Sequence, residues 1–171
     1  MLAGGGIGLY NCIMAKTLGY MITFTTYGTW LQGDKRGFVK NGQTYAGNQS
    51  LADSNKQNLS NNPVRLSKTL RSIAAEAIFE KADRLNQKIR ALAVCSNHVH
   101  LVADYVPVPI GLVVSHYKNS AQAALRKAGL AGRVWTKGSD KRYCFDEQAL
   151  KSRIDYVNSH NQNTIFSPSI H

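Results

Sequence analysis

The sequence predicts an α+β sandwich, a single antiparallel sheet with helices packed on it. Three observations carry this reading. Apolar residues between Ser67 and Gln87 recur at helical spacing, and two β-rich runs between Ile89 and Val106 are separated only by Ser96-Asn97. The elements in order are a strand, a loop, a helix, two strands, a helix, a short strand and a helix. Strands joined by so short a link must pair antiparallel. No internal repeat or second domain is visible.

The first strand is Tyr20-Met21-Ile22-Thr23-Phe24-Thr25-Thr26-Tyr27, rich in β-branched and aromatic residues, and Gly28 ends it. A polar segment follows, opening with Thr29-Trp30-Leu31-Gln32-Gly33-Asp34-Lys35-Arg36-Gly37 and continuing into an Asn-, Gln- and Ser-rich stretch. Its composition predicts a disordered or mobile loop over 38–62. The first long helix places Leu70, Ile73, Ala74, Ala77, Ile78 and Leu85 on one face. The strands Ile89–Cys95 and His98–Val106 come next. Pro107 and Pro109 stop the second and start a helix over 110–127, which Gly129 closes. A connection through Arg133-Val134-Trp135-Thr136-Lys137-Gly138 leads to a final helix from about Asp146 to His160. The domain therefore spans 20–161, between a loose extension over 1–19 and a polar tail over 162–171.

The chain has 171 residues, enough for one domain with a modest core. Its 21 Lys+Arg against 10 Asp+Glu give a formal charge of +11, which draws polyanions and makes nucleic acid the expected partner. Cys12, Cys95 and Cys144 are odd in number, far apart and free of any C-x-x-C pair, so neither a disulfide framework nor a thiolate zinc site is indicated. A reducing cytoplasm is the natural compartment. The stretch 2–20 is too short and too broken to span a bilayer, so no membrane association is expected.

The sharpest local feature is Asn97-His98-Val99-His100-Leu101-Val102. Side chains alternate along a strand, so His98 and His100 leave one face while Val99 and Leu101 enter the other. Two neutral imidazoles on one strand face can share a divalent ion, although such pairs are also ordinary polar strand positions. On the last helix Leu150, Ile154 and Val157 form the apolar stripe. Ala149, Arg153, Tyr156 and His160 form a second, about 100° round the helix axis. Tyr156 and His160 are neighbours at i and i+4. They can supply a nucleophile and a third metal ligand, or simply be an aromatic at the edge of the core beside a polar residue.

These residues resemble the single-tyrosine transposases that carry a His-hydrophobe-His (HUH) motif, in the branch that includes the REP-associated enzymes. The resemblance runs from about Tyr20 to Asn161, apart from 38–62. It includes Thr26-Tyr27-Gly28-Thr29-Trp30, the helix bearing Lys118, the Val134-Trp135 turn, and Tyr156-Val157-Asn158-Ser159-His160-Asn161. His160 stands where the family more often has Asn or Gln, and Asn161 where it has Pro. The resemblance implies a ferredoxin-like (RRM-like) core, with His98, His100 and His160 as ligands of Mg²⁺ or Mn²⁺ and Tyr156 as nucleophile. Tyr143 and Tyr105 are lesser candidates for that role. It further implies cleavage and rejoining of single-stranded DNA beside a hairpin through a 5′-phosphotyrosine. A bacterial enzyme associated with the nucleoid follows, expected as a monomer, although insertion-sequence relatives are homodimers.

For DNA contacts the helix 110–127 offers His116, Tyr117, Lys118, Arg126 and Lys127, and the turn after it offers Arg133, Trp135 and Lys137. The basic residues suit phosphates, and Tyr117 or Trp135 suits stacking on unpaired bases. A solvated face with a structural tryptophan fits the same pattern. Trp30, Lys35 and Arg36 are further candidates beside the hairpin. Two alternatives remain at this stage. One is a regulator that binds hairpin DNA without cutting it, suggested by the altered motif end. The other is a zinc hydrolase built on His98, His100 and His160.

Overall fold

A computed structural model of the protein describes residues 16–40 and 43–160, so most of the expected extension and the whole tail lie outside it. The main sheet contains β1 (Gly19–Thr25), β4 (Ile89–Val94), β5 (His98–Asp104) and β6 (Asp140–Cys144). Its strand order is β4-β5-β1-β6, and every neighbouring pair is antiparallel. With α2 (Lys68–Arg84) and α3 (Ile110–Lys127) as the crossovers, this is the βαββαβ connectivity of a ferredoxin-like sheet. A further helix, α4 (Glu147–His160), is added after β6.

The two faces of the sheet bury different residues. Tyr20, Ile22, Phe24, Val99 and Leu101 pack against α2 and α3 with Ala74, Ile78, Val113, Tyr117, Ala121 and Leu125. On the other face Met21, Ala91, Ala93, Val102 and Cys144 meet Leu150 and Val157 of α4. The small residues Ala91 and Ala93 let that helix lie close to the strands. Alternation along β5 thus leaves His98 and His100 on the α4 side, as the sequence required. Ser67 caps α2 by accepting the Leu70 N–H, and Asp146 caps α4 by accepting the Ala149 N–H.

Two expectations change. The polar segment 38–62 carries regular structure: β2 (Phe38–Lys40) pairs with β3 (Gln43–Tyr45), and α1 spans Gln49–Gln57. Asn48 caps α1 by accepting the Leu51 N–H at 3.0 Å, and the Phe38 and Tyr45 rings stack at 5.4 Å. Gly33, at φ +95°, has no room for a side chain against the backbone of Asn48 and Ala52. The segment is held by caps and close backbone contacts, and no residue of α1 is buried. Its polar composition therefore concealed it.

Tyr117 is the second correction. It is fully buried, and its hydroxyl donates to Gln87 Oε1, while Gln87 Nε2 donates to the Tyr20 hydroxyl and the Asp104 carbonyl. A ring committed to this buried network is not available to a base. Trp135 is likewise buried, edge-on to Phe24, with its indole N–H donated to the Lys118 carbonyl.

Candidate active site

Register fixes the centre of the site. His100 on β5 pairs with Thr23 on β1, and Thr23 pairs in turn with Asp140 on β6. These three side chains form one row on the α4 face. His98, two residues earlier, lies opposite Thr25. α4 crosses this face and brings its last turn over the histidines. The ring centres of His98 and His100 are 4.6 Å apart, and His160 stands 4.8 Å from His100. Ligand atoms of His98, His100 and His160 all lie within 4.8 Å of one another. The Tyr156 ring is 5.5 Å from His100 and 4.6 Å from His160, and the residue remains 47% exposed.

One nitrogen of each imidazole is already engaged. His160 Nδ1 lies 2.9 Å from the Tyr156 carbonyl, which can only accept, so Nδ1 carries the proton and Nε2 the lone pair. His98 Nδ1 faces Asn97 Oδ1 at 2.8 Å, which imposes the same tautomer. His100 Nδ1 meets the Thr23 hydroxyl at 2.7 Å. The Nε2 atoms of His98 and His160 are thereby left as donors to an ion, and His100 Nε2 joins them when its Nδ1 donates to the Thr23 hydroxyl, with these partners fixing ring orientation.

Electrostatics favour the same state. Burial pushes His100 down to about 3; the neighbouring His98 and His160 push the same way, and Asp140 opposes them. Burial also lowers His98, followed by His160 and Arg36. Both rings are therefore neutral at pH 7, as metal ligation demands. Sequence reasoning did not single out Thr23, Asn97 or Asp140 around these rings. Asn97 sits within the quoted motif, but Thr23 and Asp140 depend on strand register.

The other proposed contacts are scattered. Lys118 Nζ donates to the carbonyls of Thr136 and Gly138 at 2.9 and 2.6 Å. Burial, then Arg133 and Lys141, push its ammonium down to about 8. Arg133 lies over the Tyr27 ring, with its guanidinium carbon 5.6 Å from the centroid, and donates through Nε to the Trp135 carbonyl. Arg126 and Lys137 are exposed, Arg126 in the last turn of α3. His116 and Lys127 line a groove between α2 and α3, away from the histidines. Tyr143 stacks on Phe145 and meets Tyr20 edge-on, on the sheet face opposite the site, and Tyr105 lies beyond the far end of β5. Tyr156 is thus the tyrosine beside the histidines among the described residues.

With this geometry in view, the solved structures give a direct comparison. A REP-associated tyrosine transposase, solved bound to a REP hairpin, superposes with a TM-score of 0.55 over 86% of this chain and 68% of its own, at 12% identity. The chain shares its fold with that transposase. A proposed transposase from Deinococcus radiodurans aligns over 94% of this chain and 98% of its own at 14% identity, with a TM-score of 0.44. No protein-family model matches the chain, and no curated protein matches it by sequence. Among the described residues, no helix is long and apolar enough to cross a membrane.

Proposed function

We propose that the protein is an HUH single-tyrosine transposase that cleaves and rejoins single-stranded DNA beside a hairpin. The observation that carries this reading is the convergence of Tyr156 with three imidazoles, each having a free nitrogen. The shared fold with a hairpin-bound transposase and the +11 charge support the same substrate.

His98, His100 and His160 would hold a divalent ion, which would polarise the scissile phosphate. An all-nitrogen donor set suits Mn²⁺ better than Mg²⁺, since Mg²⁺ selects oxygen. The Tyr156 phenolic oxygen attacks phosphorus and releases its proton to solvent. A bond forms between that oxygen and phosphorus as the bond from phosphorus to the 3′ oxygen breaks. The 3′ hydroxyl leaves protonated, and a 5′-phosphotyrosine remains. Attack by another strand's 3′ hydroxyl reverses the exchange, restores the phenol and joins the strands. One phosphodiester replaces another, so no outside energy source is required.

The expected form is a monomer in the bacterial cytoplasm, at the nucleoid. The test uses a 5′-labelled single strand containing a hairpin, incubated with the full chain and Mn²⁺ or Mg²⁺. Metal-dependent cleavage, faster in Mn²⁺, is expected, and retained hairpin binding with no cleavage in either ion would select a non-cutting regulator instead.

A further inference from the structure

The loop between β1 and β2 holds a tryptophan in an unusual position. Trp30 is 38% exposed, whereas the chain's other tryptophan, Trp135, is buried. The exposed indole is nevertheless fixed. Its N–H donates to the Gly37 carbonyl at 2.9 Å, and the Arg36 guanidinium carbon lies 4.3 Å from the ring centroid. Arg36 is held in turn by both carboxylate oxygens of Asp34, each at 2.7 Å, and by the Thr29 carbonyl. Gly33 and Gly37 adopt positive φ, and neither has room for a side chain against the neighbouring backbone. A side chain that served only to pack this loop would be covered. Here the loop immobilises the aromatic and leaves much of it open to water.

The loop is also tied to the histidine strand. The Thr29 hydroxyl is within 3.3 Å of the Asn97 carbonyl and 2.9 Å of the Thr26 hydroxyl, which is itself 3.2 Å from that carbonyl. Asn97 holds His98 through its side chain. The tryptophan is therefore carried by a loop bonded directly to the residue that precedes and orients His98. A pre-ordered, partly exposed aromatic on a basic protein is an arrangement that binds unpaired bases by stacking.

Building on the proposed function, we infer that Trp30, braced by Arg36 and Asp34, is a stacking platform for an unpaired DNA base next to the scissile phosphate. It is a binding and positioning element rather than a catalytic one. Asp34 neutralises much of the Arg36 charge, so the indole supplies most of the contact and sequence preference from this element is weak.

Tryptophan emission reads this contact directly, because Trp30 is the exposed one of two. The full chain in EDTA is titrated with a DNA hairpin that carries a random-sequence 12-nucleotide single-stranded extension. Emission is followed alongside the anisotropy of the same DNA carrying fluorescein. The expected result is quenching of wild-type emission that saturates with the anisotropy and disappears in Trp30→Phe. Trp30→Ala is expected to bind about 5- to 100-fold more weakly, the range for losing one stacked base. Residual Trp135 emission at its buried wavelength shows that each variant is folded. Binding by anisotropy without quenching, or quenching that persists in Trp30→Phe, would overturn the platform and leave DNA binding intact. No binding by anisotropy would overturn the DNA reading itself, and the platform with it.

Discussion

Replacing Thr23 with valine removes one hydroxyl and preserves the β-branched shape that β1 requires. That hydroxyl is 2.7 Å from His100 Nδ1, on a residue only 7% exposed, so little water is at hand to replace it. Two effects follow. The metal-free chain loses a hydrogen bond inside a partly buried site, which costs about 1 kcal/mol. The ring also becomes free to rotate or change tautomer, so that Nε2 is no longer presented to the ion. Loss of such an orienting partner weakens metal binding about 10- to 100-fold, or about 1.4–2.8 kcal/mol. Burial of His100 argues for the upper part of that range. Mn²⁺ titration calorimetry measures the change, and denaturation separates it from unfolding. Thr23→Ser keeps the hydroxyl and should recover most of the affinity. If Thr23→Val bound Mn²⁺ within twofold of wild type, the hydrogen bond would not orient His100, and the assignment of Nε2 as its metal-facing atom would fall.

Other perturbations test other parts of the structure. His100 is held down to about 3 in the folded chain against about 6.5 unfolded, so the unfolded state binds the extra proton between those values. The stability contributed by keeping this ring neutral is present above about pH 6.5 and is lost as pH falls toward 3, with a slope approaching about 1.4 kcal/mol per pH unit. Urea midpoints measured in EDTA should drop over that window, and His100→Asn should flatten the drop. Replacing Gln87 with leucine strands the Tyr20 and Tyr117 hydroxyls in the core, at about 1–3 kcal/mol each. Urea unfolding should register about 2–5 kcal/mol, and a loss below 1 kcal/mol would mean that the network is not the anchor described. Gly33→Ala, forced into positive φ against Asn48 and Ala52, should loosen the Trp30 loop. Faster proteolysis within 29–62 would show this, with the main sheet still protected from hydrogen exchange.

The parts of the molecule that follow from local periodicity were readable. The period of two along β5 sent Val99 and Leu101 to the face under α2 and α3 and both histidines to the opposite face. The i, i+4 relation put Tyr156 and His160 on one side of α4. Helix and strand order was enough for an antiparallel α+β sheet. What depends on register between distant segments was not readable. Thr23 reaches His100 across 77 positions of sequence, and nothing local marks the pair. The same holds for Asp140, which joins their row only through the pairing of β6 with β1. Tyr117 is a different case, because a usable signal was present. It falls on the stripe formed by Val113, Val114, Ala121 and Leu125, all buried, and that spacing argued for the core over the DNA. The hairpin and α1 left almost no apolar trace, being held by the Asn48 cap and by glycines.

Tyr156 as the attacking residue is tested most directly by mass spectrometry of the protein–DNA adduct. The full chain is incubated with hairpin-bearing single-stranded DNA and Mn²⁺, denatured, treated with nuclease and protease, and mapped. The expected product is a peptide carrying a 5′-phosphotyrosine at Tyr156. It should be absent from Tyr156→Phe, although that variant still binds the hairpin. An adduct on Tyr143 or Tyr105, or cleavage by Tyr156→Phe at the wild-type rate, would contradict the assignment.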